Sequence, residues 1–239
     1  MSAEKAVRGY DPGPLRVTRW ICRFLLREIA FRLIARIEEV TGQENVPAEG
    51  SAVLMMNHIG FIDPIVMVHV CQRDIVPLAK VEAYDYPVVG IFPKMWGVIP
   101  VQRDGMDRDA VRQALDVLKA GELLLVAPEG TRNEALTRPR EGAFYLASRG
   151  KAPIIPVRME GTPGFPASPL SKRWREPGVK VHFGPPFRIK PGLGRARGAL
   201  LEKMAQESMY ALASILPDHR RGVYADLTQA SMDTIEWLE

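Results

Sequence analysis

The sequence predicts an α/β domain: a mixed, largely parallel central sheet flanked by helices, with an N-terminal amphipathic helical segment in front of it. Three observations carry this reading. After Gly42, short aliphatic and β-branched runs alternate with helix-like stretches that end at glycine. Two of the runs, AVLMM at 52–56 and LLLVA at 123–127, are apolar at every position, as strands covered on both faces are. Residues 15–40 contain no Pro or Gly and carry arginines at helical spacing.

The elements follow in order. In LRVTRWICRFLLREIAFRLIARIEEV (15–40), Arg16, Arg19, Arg23 and Arg27 are spaced by 3, 4 and 4 and form one stripe, with Trp20, Ile21, Phe24 and Leu25 turned away from most of it. At about 100° per residue, Arg32 and Arg36 fall on roughly the opposite side, which predicts two helices or one kinked helix. A basic face backed by Trp, Phe and Leu resembles an interfacial membrane helix. The competing reading is a helix packed on the core with a solvated Arg face. Strands are then expected at Ala52–Met56, Ile75–Ala79, Val98–Val101, Leu123–Ala127, Ile154–Met159 and Val179–Phe183. Helices are expected at Pro64–Cys71, Asp107–Ala120 with Gly121 as its stop, Glu141–Ser148 closed by Gly150, and Ala196–Leu216. The stretch Gly161–Gly178 holds four prolines and reads as an extended surface loop. The division expected is 1–39 for a basic membrane-association segment, 40–216 for the main domain, and 217–239 for an acidic tail or one peripheral helix.

Composition narrows the function classes. Of 239 residues, 46% are apolar and 25% charged, enough for a sizeable core and against wholesale disorder. Two cysteines without a CxxC pair suit a reducing compartment and offer neither a zinc site nor a redox motif. No run of 18 or more apolar residues suggests a membrane span, and the first residues lack the apolar core of a secretion signal. Net charge is +4 but uneven: +5 over 1–37, −7 over 38–137, +10 over 138–200 and −4 over 201–239. Two basic blocks point to an anionic partner: nucleic acid, a membrane surface or a phosphorylated ligand. Trp174, between Arg173 and Arg175, is the one aromatic residue of the 138–200 block with a base on each side, so nucleic-acid binding stays a weak reading of that block. P-loop, GxSxG and HExxH motifs are absent, and His69, His182 and His219 have no partner at metal-ligand spacing.

Three short blocks, each at the end of an apolar strand, carry reactive residues: MMNHIGFIDP with His58 and Asp63, WGVIPVQRDG with Arg103, and LLVAPEGTRN with Glu129, Gly130, Thr131 and Arg132. Strand C-termini in α/β sheets collect on one edge, so the three blocks can share a pocket. A histidine beside a carboxylate is a natural general base, since the carboxylate fixes the tautomer and stabilises the imidazolium. With no nucleophilic Ser or Cys motif, the proton would come from the substrate, for example a hydroxyl attacking an activated acyl group. Arg103 and Arg132 are permanent planar cations suited to phosphate or carboxylate, and Lys80 adds a third charge. Each residue also has a plain structural reading. Asp63-Pro64 makes a good helix start, with Asp as N-cap; His58 alone would pass for a satisfied buried histidine, Glu129-Gly130 for a turn, and the arginines for surface charges. The joint occurrence in order, each after a strand, is what favours a site.

These residues resemble the glycerolipid acyltransferase family, best known through the 1-acylglycerol-3-phosphate acyltransferases. Asn57, His58 and Asp63 match its NHxSxxD motif, Gly97 to Arg103 its second motif, and Pro128 to Arg132 its PEGTR motif without change. Ile154-Ile155-Pro156-Val157 matches the fourth, apolar motif; Lys80 sits where the family usually has a lysine, and Arg140-Glu141-Gly142 resembles the basic-x-Gly after the third motif. The likeness covers about residues 40–190. It implies an enzyme in which His58 deprotonates the sn-2 hydroxyl of a lysophosphatidic acid, which attacks the thioester of acyl-CoA or acyl carrier protein without an acyl-enzyme, giving phosphatidic acid. Asp63 would orient and charge His58. Lys80, Arg103, Glu129, Gly130, Thr131 and Arg132 would form the phosphate site, Glu129 by positioning an arginine or hydroxyl, with Asn57 and Arg140 as additional substrate contacts. The fourth motif would build the sheet floor or the acyl path. No metal or other cofactor is implied, and the place of action would be the cytoplasmic side of the cell membrane, with peripheral or monotopic attachment. Two departures bear on the acceptor: Gly60 stands where the motif has Ser, and Pro100 where an aromatic residue is common. Another lysolipid or glycolipid acceptor, or a catalytically silent lipid-binding module, remain as alternatives.

Overall fold

The computed structural model describes residues 10–85, 87, 90–102, 107–193 and 196–238. The first described element is one unbroken helical run over 13–34. A 3-10 turn leads into α1 (Arg16–Leu25), a π turn occupies Leu26–Ala30, and α2 (Phe31–Ile34) ends it. A π turn inserts one residue into the repeat, so the run is a single helix with a register change, which leaves Phe31 buried and Arg32 exposed. Ala35 is already extended, and β1 (Ile37–Thr41) follows, so the helix stops earlier than the composition of 15–40 predicts. Ile37 and Val40 pair in parallel with the later strand that holds Val179 and Val181. That pairing overrides local helix propensity.

The rest runs β2 (Ala52–Met56), α3 (Asp63–Val70), β3 (Ile75–Lys80), α4 (Ile91–Trp96), β4 (Ile99–Val101), α5 (Arg108–Lys119), β5 (Leu123–Val126), α6 (Gly142–Gly150), β6 (Ile154–Glu160), α7 (Lys172–Arg175), β7 (Val179–Phe183), β8 (Phe187–Ile189), α8 (Ala199–Ser214), α9 (Asp218–Arg221) and β9 (Ile235–Trp237). The strand order is β1-β7-β6-β2-β5-β3-β4, with β8 paired to β6 and β9 to β8. Pairs β1/β7, β2/β6, β2/β5, β3/β5 and β3/β4 are parallel; β6/β7, β6/β8 and β8/β9 are antiparallel. This is the mixed, largely parallel sheet that the alternating pattern predicts.

The two uniformly apolar runs are the middle of the sheet. Val53 and Met55 of β2 and Leu124 and Val126 of β5 point to one face, against α5, α6 and α8 through Val117, Phe144 and Met209. Leu54, Met56, Leu123 and Leu125 point to the other, against α3 and α4 through Val66, Met67 and Trp96. The two-residue period of a strand thus feeds two separate cores. Truncating any of these leucines to alanine costs about 2–5 kcal/mol.

The N-terminal helix packs with its faces opposite to the reading of a core-packed helix with a solvated Arg face. Arg19 is 2% exposed and Trp20 is 68% exposed. Arg19 Nε donates to Trp96 O at 2.9 Å, at the end of α4. Arg23 reaches Cys71 O and Arg73 O, both at 3.0 Å, just past α3, and pairs with Asp74 at 2.7 Å. The last carbonyls of a helix lack intrahelical donors, and guanidinium forks supply them. Cys22, Leu26 and Phe31 share this inner side, while Val17, Trp20, Ile21, Phe24, Leu25, Ile29 and Leu33 face outward.

Three smaller corrections concern ends. Gly150 does not take the left-handed stop of α6; Lys151 does, at φ 51°, because Gly150 lies under Leu118, where a Cβ would sit 2.6 Å from Leu118 Cδ1. The proline-rich loop 161–178 contains the one-turn helix α7 and buries Phe165. Residues 217–239, expected as a tail or one peripheral helix, instead carry α9 and close the sheet with β9. Glu207 of α8 anchors this segment, accepting from Ser231 Oγ, Asp233 N, Thr234 N and Thr234 Oγ1. Burial opposes its ionisation, but those donors outweigh it and hold the carboxyl below its usual range.

Candidate active site

Strands β2, β3, β4, β5 and β6 run parallel to one another, so their C-terminal ends meet on one edge. The sequence loads that edge with Asn57-His58, Lys80, Gln102 and Pro128–Arg132. A cavity of about 540 Å³ opens there, in the size range of small-ligand sites.

His58 lies on its wall, partly exposed, with Nδ1 2.8 Å from Asp63 Oδ2. The same oxygen accepts from Ile59 N at 2.8 Å and Gly60 N at 2.9 Å. Asp63 is fully buried. It therefore does not act as the expected N-cap, which would accept from amides ahead of it; its carboxylate reaches back and folds the loop 58–63 onto itself. Oδ2 already accepts from two backbone N–H groups, so the ring nitrogen facing it is assigned as the donor, with the proton on Nδ1. Nε2 is left with its lone pair, as a general base requires.

The third block is braced from beneath. Glu129 is buried, and its Oε1 accepts from Asn133 Nδ2 (3.0 Å), Thr137 N (2.7 Å) and Thr137 Oγ1 (2.8 Å). It positions a hydroxyl and an amide and does not line the cavity. Asn133 N in turn donates to His58 O at 2.8 Å, joining this loop to the histidine loop. Gly130 has φ +69°, and a Cβ there would meet Arg140 Cδ and Nε at 3.0 Å. The positive φ favours glycine, and a side chain there would also press on Arg140. Arg132 stands over the Phe61 ring, 5.9 Å from its centroid. Lys80, Gly130, Thr131, Arg132 and Arg140 all border the cavity. Asn57 does not: it is buried, donating to Met159 O at 3.0 Å and accepting from Met159 N at 2.7 Å, a clamp between β2 and β6. Arg103 lies outside the described residues; Gln102, just before it, borders the cavity.

Behind the polar mouth the wall is apolar: Leu78, Val101, Val111, Leu125, Val126 and Leu146. Sequence patterning reads these as core, because lipid-binding and core-forming faces look alike. The small residues Ala110, Gly142 and Ala143, which open the room, are the signal that was available. Asp107 caps α5 at the cavity edge; the Ala110 and Gln102 amides hold its carboxyl below the usual range. Ile154, Ile155 and Val157 of β6 are buried in the sheet, as a floor. Another depression of about 600 Å³, lined by Arg36, Ile37, Glu38, Arg175 and Pro177, holds no base or nucleophile and lies away from the three blocks. Among the described residues, no group of three or more His, Cys, Asp or Glu is placed to hold a metal ion.

Among the described residues, the cavity combines a paired histidine with no Ser or Cys nucleophile beside it, a cationic mouth and an apolar interior, the parts that acyl transfer onto a substrate's own hydroxyl would use. The acyltransferase family matches residues 38–160, half of the chain and all three blocks, and the chain belongs to that family. It is 31% identical over 124 residues to a 1-acyl-sn-glycerol-3-phosphate acyltransferase of Bacillus subtilis, covering 52% of this chain and 62% of that one. It is 33% identical over 130 residues to one of Borreliella burgdorferi, covering 53% and 52%. The chain thus spans between half and two thirds of these relatives' length. In fold it is similar to the crystal structure of the 1-acyl-sn-glycerophosphate acyltransferase of Thermotoga maritima, with a TM-score of 0.57 and 21% identity over 81% of this chain and 76% of that one.

Proposed function

We propose that this chain moves a fatty acyl group from an acyl thioester, on CoA or acyl carrier protein, to the sn-2 hydroxyl of 1-acylglycerol-3-phosphate, giving phosphatidic acid. The observation that carries the reading is the His58–Asp63 pair: its geometry leaves Nε2 basic on the wall of a cation-rimmed, apolar-lined cavity. Nε2 takes the hydroxyl proton as the oxygen attacks the thioester carbonyl. The tetrahedral intermediate expels the thiolate, and the imidazolium, stabilised by Asp63, returns the proton to sulfur. Lys80, Arg132 and Arg140, with Arg103 following β4, hold the acceptor's phosphate; the apolar wall takes an acyl chain. No cofactor enters this scheme, since the thioester supplies the activation.

Both substrates partition into bilayers, and the outward face of the N-terminal helix suits that surface. Trp20, Phe24, Leu25, Ile29 and Leu33 lie in a row at interfacial-helix spacing, and Arg16, Arg27 and Arg32 are exposed beside them. No described helix is long and apolar enough to cross a membrane. The reading is peripheral attachment on the cytoplasmic side of the cell membrane.

The test offers the purified protein lysophosphatidic acid and phosphate-free lysolipids together with an acyl-CoA and an acyl carrier protein donor, and reads the products by mass. Preferential conversion of lysophosphatidic acid, lost in Arg132→Ala and Arg140→Ala, supports the reading. Equal use of phosphate-free acceptors removes the phosphate clamp from it.

A further inference from the structure

One oxygen of Asp63 is unexplained by the dyad. Oδ2 takes all three donors; Oδ1 is buried and has no hydrogen-bond partner among the described residues. A second such atom lies beside it. Thr162, two residues past β6, is fully buried, and its Oγ1 is likewise without a partner. Both oxygens converge on Gly60. A Cβ built there would be 2.4 Å from Thr162 Oγ1, 2.7 Å from Thr162 Cβ and 3.0 Å from Asp63 Oδ1. The room that a side chain at position 60 would need is filled by the threonine.

We propose that Thr162 is a positioning residue for the His58–Asp63 pair: its hydroxyl turns onto Asp63 Oδ1 and supplies, from the β6 loop, the hydroxyl that the resembled motif carries at position 60. The chemistry is complementary. As a carboxylate, Asp63 can only accept at Oδ1, and a threonine hydroxyl has one proton to give. The backbone that carries Thr162 is held for the task. Arg173 donates to the carbonyls on both sides of it, Gly161 O and Pro163 O, the latter at 2.8 Å. Thr162 O accepts from Phe165 N at 3.1 Å, and the Asn57–Met159 clamp ties the end of β6 to the histidine loop. With both oxygens held, the carboxylate plane is fixed, and with it the direction in which Nε2 points. The inference rests on the proposed use of His58 as base, and it concerns how that base is aimed.

The test compares steady-state kinetics of Thr162→Val and Thr162→Ser, with melting temperatures to confirm folding. Valine keeps the shape and removes the hydroxyl; it is expected to lower kcat roughly 10- to 100-fold with little change in KM. Serine is expected to hold kcat within about threefold, and a purely space-filling role would not give that rescue. A transfer experiment is independent of the valine variant. Gly60→Ser in the parent meets Thr162 and loses activity; in a Thr162→Gly background, which removes both clashing atoms, the same substitution restores it above Thr162→Gly alone. Valine at parental kcat, or a double variant no better than Thr162→Gly, overturns the proposal. Activity in the parent and its loss in His58→Ala report separately on the base itself.

Discussion

The N-terminal helix and the C-terminal edge of the sheet were both marked by charged residues in regular patterns, and the structure uses the two patterns in opposite ways. On the sheet edge, Lys80, Arg132 and Arg140 face open space around a cavity, as their charge suggests. On the helix, Arg19 and Arg23 turn inward and the aromatic and aliphatic residues turn out. The difference lies in what each guanidinium can reach. Two helices end beneath the N-terminal helix and present the carbonyls of Cys71, Arg73 and Trp96, which need donors. Amphipathic periodicity finds the two faces of a helix; it does not say which one the rest of the protein has use for.

The largest effect expected on the sheet-edge side is from Asp63→Asn. It removes the acceptor that fixes the His58 tautomer, and the acyl-transfer rate should fall about 10³- to 10⁴-fold. A fall under tenfold in a folded variant would mean that the carboxylate is structural only. On the helix side, Arg19→Ala should cost about 2–3 kcal/mol in chemical denaturation, because Trp96 O loses a charged donor in a buried site. Arg16→Ala, on the exposed edge of the same stripe, should stay within about 0.5 kcal/mol. Equal effects would erase the contrast between the inward and outward arginines.

A smaller effect comes from His69 of α3, stacked on Phe31 with ring centroids 4.1 Å apart. Burial, and then the charges of Arg27 and Arg23, push its pKa down to about 4 from 6.5. The folded ring stays neutral while the unfolded one takes a proton, so stability is full above pH 6.5 and declines as pH falls toward 4. Thermal melts from pH 7 to pH 5 should show that decline, and His69→Phe should flatten it. The smallest effect on stability is expected from Trp20→Ser with Phe24→Ser and Leu33→Ser: melting nearly unchanged, yet binding to anionic lipid vesicles reduced. Vesicle binding at the parental level would assign that outward face to something other than a bilayer.

Much of the sheet was legible because its middle strands are uniformly apolar, and β2 and β7 fall where the pattern places them. The short strands β8 and β9 were not: three residues each, with Arg188 and Glu236 facing one another, they pair only through distant chain. The first and third blocks, with His58, Asp63 and Gly130–Arg132, meet at the cavity where their strand-end positions place them, while Arg103 of the second lies outside the described residues. What sequence could not separate was contact from support. Asn57 and Glu129 belong to the same motifs as His58 and Arg132, but their polar atoms are spent on Met159, Asn133 and Thr137. Thr162 carries no motif, and its place beside Asp63 depends on β6 lying next to β2.

The most direct measurement is the acyl-transfer rate of purified His58→Ala beside the parent, with lysophosphatidic acid as acceptor and matched melting temperatures. Loss of the general base predicts a fall of about 10²- to 10⁴-fold with the fold intact. A rate equal to the parent's would contradict the assignment of His58 Nε2 as the group that takes the hydroxyl proton.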